Sequence, residues 1–226
     1  MNRPLTTLVG YGCAALGAAF FSTKAIFIKL AYQDQLDASL FLAYRMIFAT
    51  PVFVAIGIWA YAKRSAKGAP PPDWGSVAWA SFVGFVGYYM ASAFDFAGLQ
   101  YISASLERLV LFTYPLFVMI IGALFYAEAV TAFAIAAAVV TYIGLGVVFA
   151  VDLPVGGRDT ALGTALVLGA AISFAWHQIL AKRVIVHLGP MLFTSIALTS
   201  AGVFCVLHHV VFGSGDFAAT PRFLWL

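Results

Sequence analysis

Five side chains of this 226-residue chain carry full charge inside stretches that are otherwise apolar: Lys24, Arg45, Asp95, Glu107 and Arg108. An ionisable group in hydrocarbon is costly, so it faces a cavity or a partner of opposite sign. Three of the five are basic and two acidic, which leaves one positive charge in excess. One reading is a vestibule that attracts an anionic or zwitterionic solute. In it Arg45 holds the anionic part and Glu107 is the best candidate to carry a proton. In the other reading Arg45 pairs with Glu107 or Asp95 as structural glue, and Lys24 snorkels to the surface. Adjacent residues on a helix point about 100° apart. Glu107, on a face with Leu111 and Tyr114, is therefore expected to meet different surroundings from Arg108, which leans toward Phe112 and Pro115. One of the two faces the cavity and the other a neighbouring helix. Tyr114 either lends its ring and hydroxyl to the cavity wall or packs and bonds a neighbour's carbonyl.

Pro51 and Pro115 are candidate helix kinks. Each lacks a backbone donor and frees the carbonyl four residues earlier, at Ile47 and Leu111, as gating hinges require. Trp176 and His177 are further cavity candidates, although a buried histidine is often simply hydrogen-bonded. His208 and His209 are adjacent and lack the i, i+4 spacing of a helical metal pair. No metal site and no cofactor is expected. No phosphate-binding glycine loop, nucleotide fingerprint or HExxH occurs, so ATP-driven pumping is not indicated.

The elements that must position these residues are long apolar runs. A hydrocarbon core of about 30 Å needs roughly 20 apolar residues in a helix. The chain offers seven such runs, Leu8–Leu30, Ala38–Tyr61, Ser76–Phe96, Ile102–Tyr126, Val130–Val151, Ala161–Ala181 and Met191–Phe212. Backbone groups in lipid must be satisfied within the chain, so these runs are helices, and the fold class is all-α, polytopic membrane protein. Charged residues are 9% of the total, against roughly 25% in soluble domains, so the net +3 does not point to nucleic acid. It reads as topology. Lys63, Arg64 and Lys67 crowd one connection and Lys182 and Arg183 another. This places the N-terminus, the 62–75 loop and the 182–190 loop in the cytoplasm of a cell whose cytoplasmic membrane holds the protein. The five buried charges then lie in the outer half. Glu128 is expected to cap a cytoplasmic turn. Cys13 and Cys205 lie inside apolar runs and are not expected to pair.

The chain also repeats itself. Leu16-Gly17-Ala18-Ala19 recurs as Leu168-Gly169-Ala170-Ala171, and Leu40-Phe41 as Leu192-Phe193, both at a shift of 152 residues. Five helices separate the copies, an odd number, so the second copy is inverted, as in many secondary transporters. Residues 1–155 form a first five-helix repeat and 156–226 an incomplete second one, with residues 152–159 as the hinge. The shift places the counterpart of Asp73-Trp74 at Trp225-Leu226, so the chain reads as a fragment or truncated product. Small-residue stripes, Gly10, Ala14, Ala18 and Ser22 in the first run and Ala161, Ala165, Gly169 and Ser173 in the sixth, are expected to allow close packing in equivalent places.

The segment Ala97-Gly98-Leu99-Gln100-Tyr101-Ile102-Ser103-Ala104-Ser105, then Pro115, then Leu124-Phe125-Tyr126-Ala127-Glu128 and Thr131, resembles the EamA-like family of the drug/metabolite transporter superfamily. Ala127 stands where that family usually has Gly, Arg45 where it often has Arg, and Glu107-Arg108 where it is usually apolar. The resemblance implies ten helices in two inverted five-helix repeats around a central cavity. It further implies export or exchange of small organic metabolites. The mechanism expected of such a chain is alternating access around a cavity between the repeats, driven by a gradient, with a proton or counter-solute as the partner. The rival readings are an integral-membrane enzyme acting on lipid, which would need a catalytic cluster near a membrane face, and a non-functional truncated transporter fragment.

Overall fold

A computed structural model of the chain describes residues 3–33, 38–152 and 158–213. Among them the regular structure is entirely helical. In order these are α1 (Arg3–Gln33), α2 (Ala38–Ser65), α3 (Trp74–Gly84), a π-helical stretch (Phe85–Met90), α4 (Ala91–Leu99), α5 (Ala104–Leu111), α6 (Tyr114–Tyr126), α7 (Ala132–Asp152), α8 (Arg158–Leu188) and α9 (Pro190–Phe212). Five segments are long and apolar enough to cross a membrane: Ala38–Ser65, Trp74–Leu99, Ala104–Tyr126, Asp159–Leu188 and Pro190–Phe212. At 1.5 Å per residue, α1 and α7 are about 46 and 31 Å long, matching the first and fifth runs. The chain is an all-α, multi-pass membrane protein.

Several boundaries differ from the sequence expectation. The third span is not a uniform α-helix, because a π-helical stretch interrupts it. The fourth breaks into α5 and α6 at Phe112-Thr113. Pro115 therefore opens a helix rather than kinking one, since at the first turn its missing N–H has no acceptor to lose. Helix α2 runs through Pro51 without a break. Lys182 and Arg183 lie within α8, not in a loop, because α8 continues to Leu188 and only Gly189 separates it from α9. Gly189 has φ +79°, a conformation that glycine adopts freely. Lys63 and Arg64 occupy the last turn of α2, where cations complement the helix dipole. Most of the 152–159 hinge, like Trp225-Leu226, falls outside the described residues.

Caps fix two ends. Asp73 accepts from the Ser76 N–H at 2.9 Å and the Ser76 hydroxyl at 2.7 Å, which starts α3. The same bonds hold its carboxyl below the ordinary carboxylate range. At the end of α6, Ala127 adopts φ +51° while the Glu128 N–H bonds back to the Gly122 carbonyl at 3.1 Å. A left-handed conformation costs a residue with a Cβ about 1–2 kcal/mol. Ala127→Gly is accordingly expected to stabilise the protein by about 1 kcal/mol, read as a raised midpoint of thermal unfolding in detergent.

Helix α8 carries the deepest packing, with Val167, Ala170, Ala171 and Ala175 fully buried. It meets α4 backbone to backbone, since a Cβ on Gly98 would lie 2.9 Å from the Gly163 carbonyl oxygen. Helix α9 packs on α2 and α3, and Gly202 lies against Thr50. Gly169 of the second small-residue stripe lies against Phe94, whereas Gly10 and Gly17 of α1 face open space. The tight packing expected of α1 is thus absent at Gly10. In this chain α1 is held through its C-terminal half, where Ala25 and Ile28 are buried and Tyr32 donates to the Phe96 carbonyl at 2.7 Å.

A buried charge cluster as candidate functional site

Four of the five charges converge. Lys24 of α1 contacts the Asp95 Oδ2 of α4, and its Nζ lies 3.8 Å from the Glu107 Oε1 of α5. Arg108 Nε lies 3.2 Å from Glu107 Oε2. Glu107 is fully buried and Asp95 nearly so. The cluster sums to zero formal charge, as burial in a low dielectric demands. Asp95 Oδ1 and both Glu107 carboxyl oxygens are buried and accept no hydrogen bond among the described residues.

Local sequence sets this up. Ser103 accepts from the Leu106 N–H at 3.1 Å and caps α5. That cap puts Glu107 in the first turn of α5, where the helix dipole favours a carboxylate. The short Gln100–Ser103 connection folds α5 back beside the last turns of α4, which carry Asp95.

Three expectations change here. Lys24 does not snorkel but supplies the cation that Arg45 was expected to supply. Glu107 and Arg108 do not face separate surroundings, because the long Arg108 side chain curls back to its neighbour. Tyr114 does not continue the Glu107 face, because the helix breaks between them. Arg45 makes no ion pair among the described residues. It keeps an exposed surface and stands over the Phe96 ring, 5.9 Å from its centroid, while Lys24 lies 5.6 Å from the same ring. Cation–π contacts of this kind stabilise a charge without neutralising it.

The other candidates lie along α8. Tyr114 meets Phe174 edge-on at 5.1 Å, Phe174 stacks on His177 at 6.0 Å, and His177 meets Tyr88 at 4.6 Å. This chain of rings links the break in the fourth span to the π-helical stretch of the third. His177 is buried and its Nδ1 donates to the Val83 carbonyl at 3.0 Å. Its ring fills the space over Gly87, where a Cβ would lie 2.1 Å away. Trp176 faces elsewhere, against Phe125 at 5.3 Å. The break itself is satisfied from α7, whose Tyr142 hydroxyl donates to the Thr113 carbonyl at 3.1 Å, as backbone at membrane depth requires.

Sequence reasoning missed Tyr89 and Phe96, and it weighed His208 only as a metal ligand. Tyr89 and His208 are hydrogen-bonded, hydroxyl to Nδ1, at 3.0 Å. A tyrosine in an apolar run was the available signal, since its hydroxyl needs a partner when buried. At the end carrying the α8–α9 turn, Arg64 donates to the His187 and Leu188 carbonyls at 2.9 and 3.3 Å. Glu128 pairs with Lys182 at 3.2 Å. An open groove of about 480 Å³ between α2, α3 and α9 includes Gly57, Ser81, Ser195 and Ser200 and none of the charged residues.

Residues 8–150 match the EamA-like transporter family. The uncharacterised transporter YcbK of Bacillus subtilis (strain 168) is 28% identical over 200 residues, covering 85% of this chain and 61% of that protein. The chain thus spans about three-fifths of the length of this curated relative. No solved structure matches the chain.

Proposed function

The chain belongs to the EamA-like transporter family, and on that premise we propose that it moves small organic solutes across the cytoplasmic membrane by alternating access. The family points to transport rather than to an enzyme of lipid metabolism. The observation that carries the reading is the Lys24–Asp95–Glu107–Arg108 cluster, a set of ionisable groups spent inside the membrane where apolar residues would pack at less cost. Arg45, charged and exposed beside it, holds the anionic part of the solute. A proton shared by Asp95 and Glu107 is the coupling ion: it leaves when both carboxylates are claimed by Lys24 and Arg108 and returns when those pairs loosen.

Two inverted repeats, 1–155 and 156 onward, frame this site, with the N-terminus and the 62–75 loop cytoplasmic. Thr50 and Gly202 support that reading. They are 152 positions apart, so the repeat makes them equivalent, and they touch. Two equivalent residues meet only beside the axis that relates them. A carrier of this plan binds its solute near the membrane midplane at the repeat interface, and Arg45 lies about 8 Å along α2 from that crossing at 1.5 Å per residue.

The test compares the solutes retained by cells with and without the protein expressed from its full coding sequence, alongside the Glu107→Gln variant. A class of solute should be depleted by the wild type and retained by the variant. Identical solute profiles in all three would overturn the transport reading.

A further inference from the structure

We infer that Arg45, Tyr89 and His208 form the carboxylate-binding end of the solute site, and that the solute is a small organic carboxylate with a flat apolar body. This rests on the transporter reading and adds the substrate class and two residues to it. Phe96, Cys205 and Tyr89 belong to one packed cluster, and Arg45 lies on its Phe96 ring. His208 lies one turn beyond Cys205 on α9 and bonds Tyr89 across the gap to the π-helical stretch. Three elements from both halves of the chain therefore set a guanidinium, a phenol and an imidazole around one packed cluster.

The chemistry at that place is anion binding. The guanidinium presents a fork of donors that matches a carboxylate. The Tyr89 hydroxyl and His208 Nδ1 share a hydrogen bond; with Tyr89 as the donor, the ring proton sits on Nε2 as a further donor. Both Tyr89 and His208 are half-buried, so these donors are neither sealed in the core nor free in bulk solvent. No acidic side chain pairs with Arg45 among the described residues, so its charge is open to a ligand. Beside the donors stands a wall of rings. Phe85 meets Tyr89 at 5.1 Å and Phe204 at 4.9 Å, Tyr89 meets Phe204 at 6.0 Å, and His208 meets Phe212 at 5.7 Å. Phe204 is 38% exposed. A flat apolar body can stack there while its carboxylate reaches Arg45 and His208.

The test is calorimetric titration of the full-length protein in detergent with benzoate, benzyl alcohol and benzylamine. Benzoate should bind at least about tenfold more tightly than the other two, the effect of one charge-assisted hydrogen bond. Arg45→Gln should abolish that preference and Arg45→Lys retain part of it, because Lys keeps the charge and loses the fork. Tyr89→Phe and His208→Leu should each weaken benzoate severalfold with no effect on benzyl alcohol, which a merely structural role would not separate. Equal binding of all three probes by folded wild-type protein would overturn the inference without any variant. So would benzoate binding indifferent to Tyr89→Phe and His208→Leu. If benzoate binds as expected but cells show no depleted solute, the carboxylate site stands and the transport reading falls. If the depleted solutes lack a carboxylate and benzoate fails to bind, the transport reading stands and this inference falls.

Discussion

Glu107→Leu should destabilise the protein by about 3–5 kcal/mol, the cost of leaving buried partners of an ion pair uncompensated. Glu107 is fully buried, with Arg108 Nε at 3.2 Å and Lys24 Nζ at 3.8 Å. Its removal leaves two cations facing Asp95 alone, a net positive charge in a low-dielectric site. The double variant Glu107→Leu with Arg108→Leu restores neutrality and should recover most of the loss, because an apolar pair packs without a desolvation penalty. Thermal unfolding in detergent measures both effects. Activity separates scaffold from site. If the cluster carries the proton, the stable double variant should fail to export what the wild type exports. Normal export by the double variant would reduce these charges to structural glue.

The second large effect is expected at a glycine. Gly84 of α3 meets the backbone of α9, and a Cβ there would lie 2.3 Å from the Ala197 carbonyl oxygen and 2.6 Å from its Cα. A helix backbone cannot swing aside as a side chain can, so Gly84→Ala must push α3 and α9 apart. Overpacking of this kind costs about 1–3 kcal/mol, and the upper end applies because main-chain atoms are struck. Gly17→Ala is the internal control. Nothing lies within 4 Å of its added methyl, and in a helix Ala is preferred to Gly by about 1 kcal/mol. Gly17→Ala should leave the unfolding midpoint unchanged or raised, while Gly84→Ala lowers it. Equal small effects at both positions would mean that α3 and α9 do not approach as described.

Much of this fold could be read from the sequence because a bilayer imposes one length scale. Runs such as Ala38–Tyr61 and Met191–Phe212 fall close to α2 and α9 for that reason. Where a helix leaves the hydrocarbon, the signal stops. Lys182 and Arg183 look like a loop, yet α8 continues beneath them to Leu188. The charged residues were legible as a site, since five such groups stand out in apolar runs. Their pairing was not. Whether Lys24 or Arg45 answers Glu107 depends on which helix faces α5, and periodicity within one helix carries no information about its neighbour. The same limit hid Tyr89 and His208, which are 119 residues apart and meet only in the folded chain. Pro115 marked the right place in the fourth span but not the outcome. A proline reads as a kink or a start according to whether the preceding turn stays helical, and here Thr113 bonds back to Val110 and closes that turn instead.

The central claim is that Arg45 lines a water-filled solute path rather than a lipid-facing or packed surface. The most direct measurement is the rate at which a charged, membrane-impermeant thiol reagent modifies Arg45→Cys in full-length protein carrying Cys13→Ser and Cys205→Ala. Ile47→Cys serves as the reference, because Ile47 is also exposed but points to the opposite side of α2. A thiol reacts as its thiolate, which forms in water and not in hydrocarbon, so the rate reports hydration at each position. Rapid modification is expected at position 45 and little at position 47. Modification at 45 as slow as at 47 would contradict the claim.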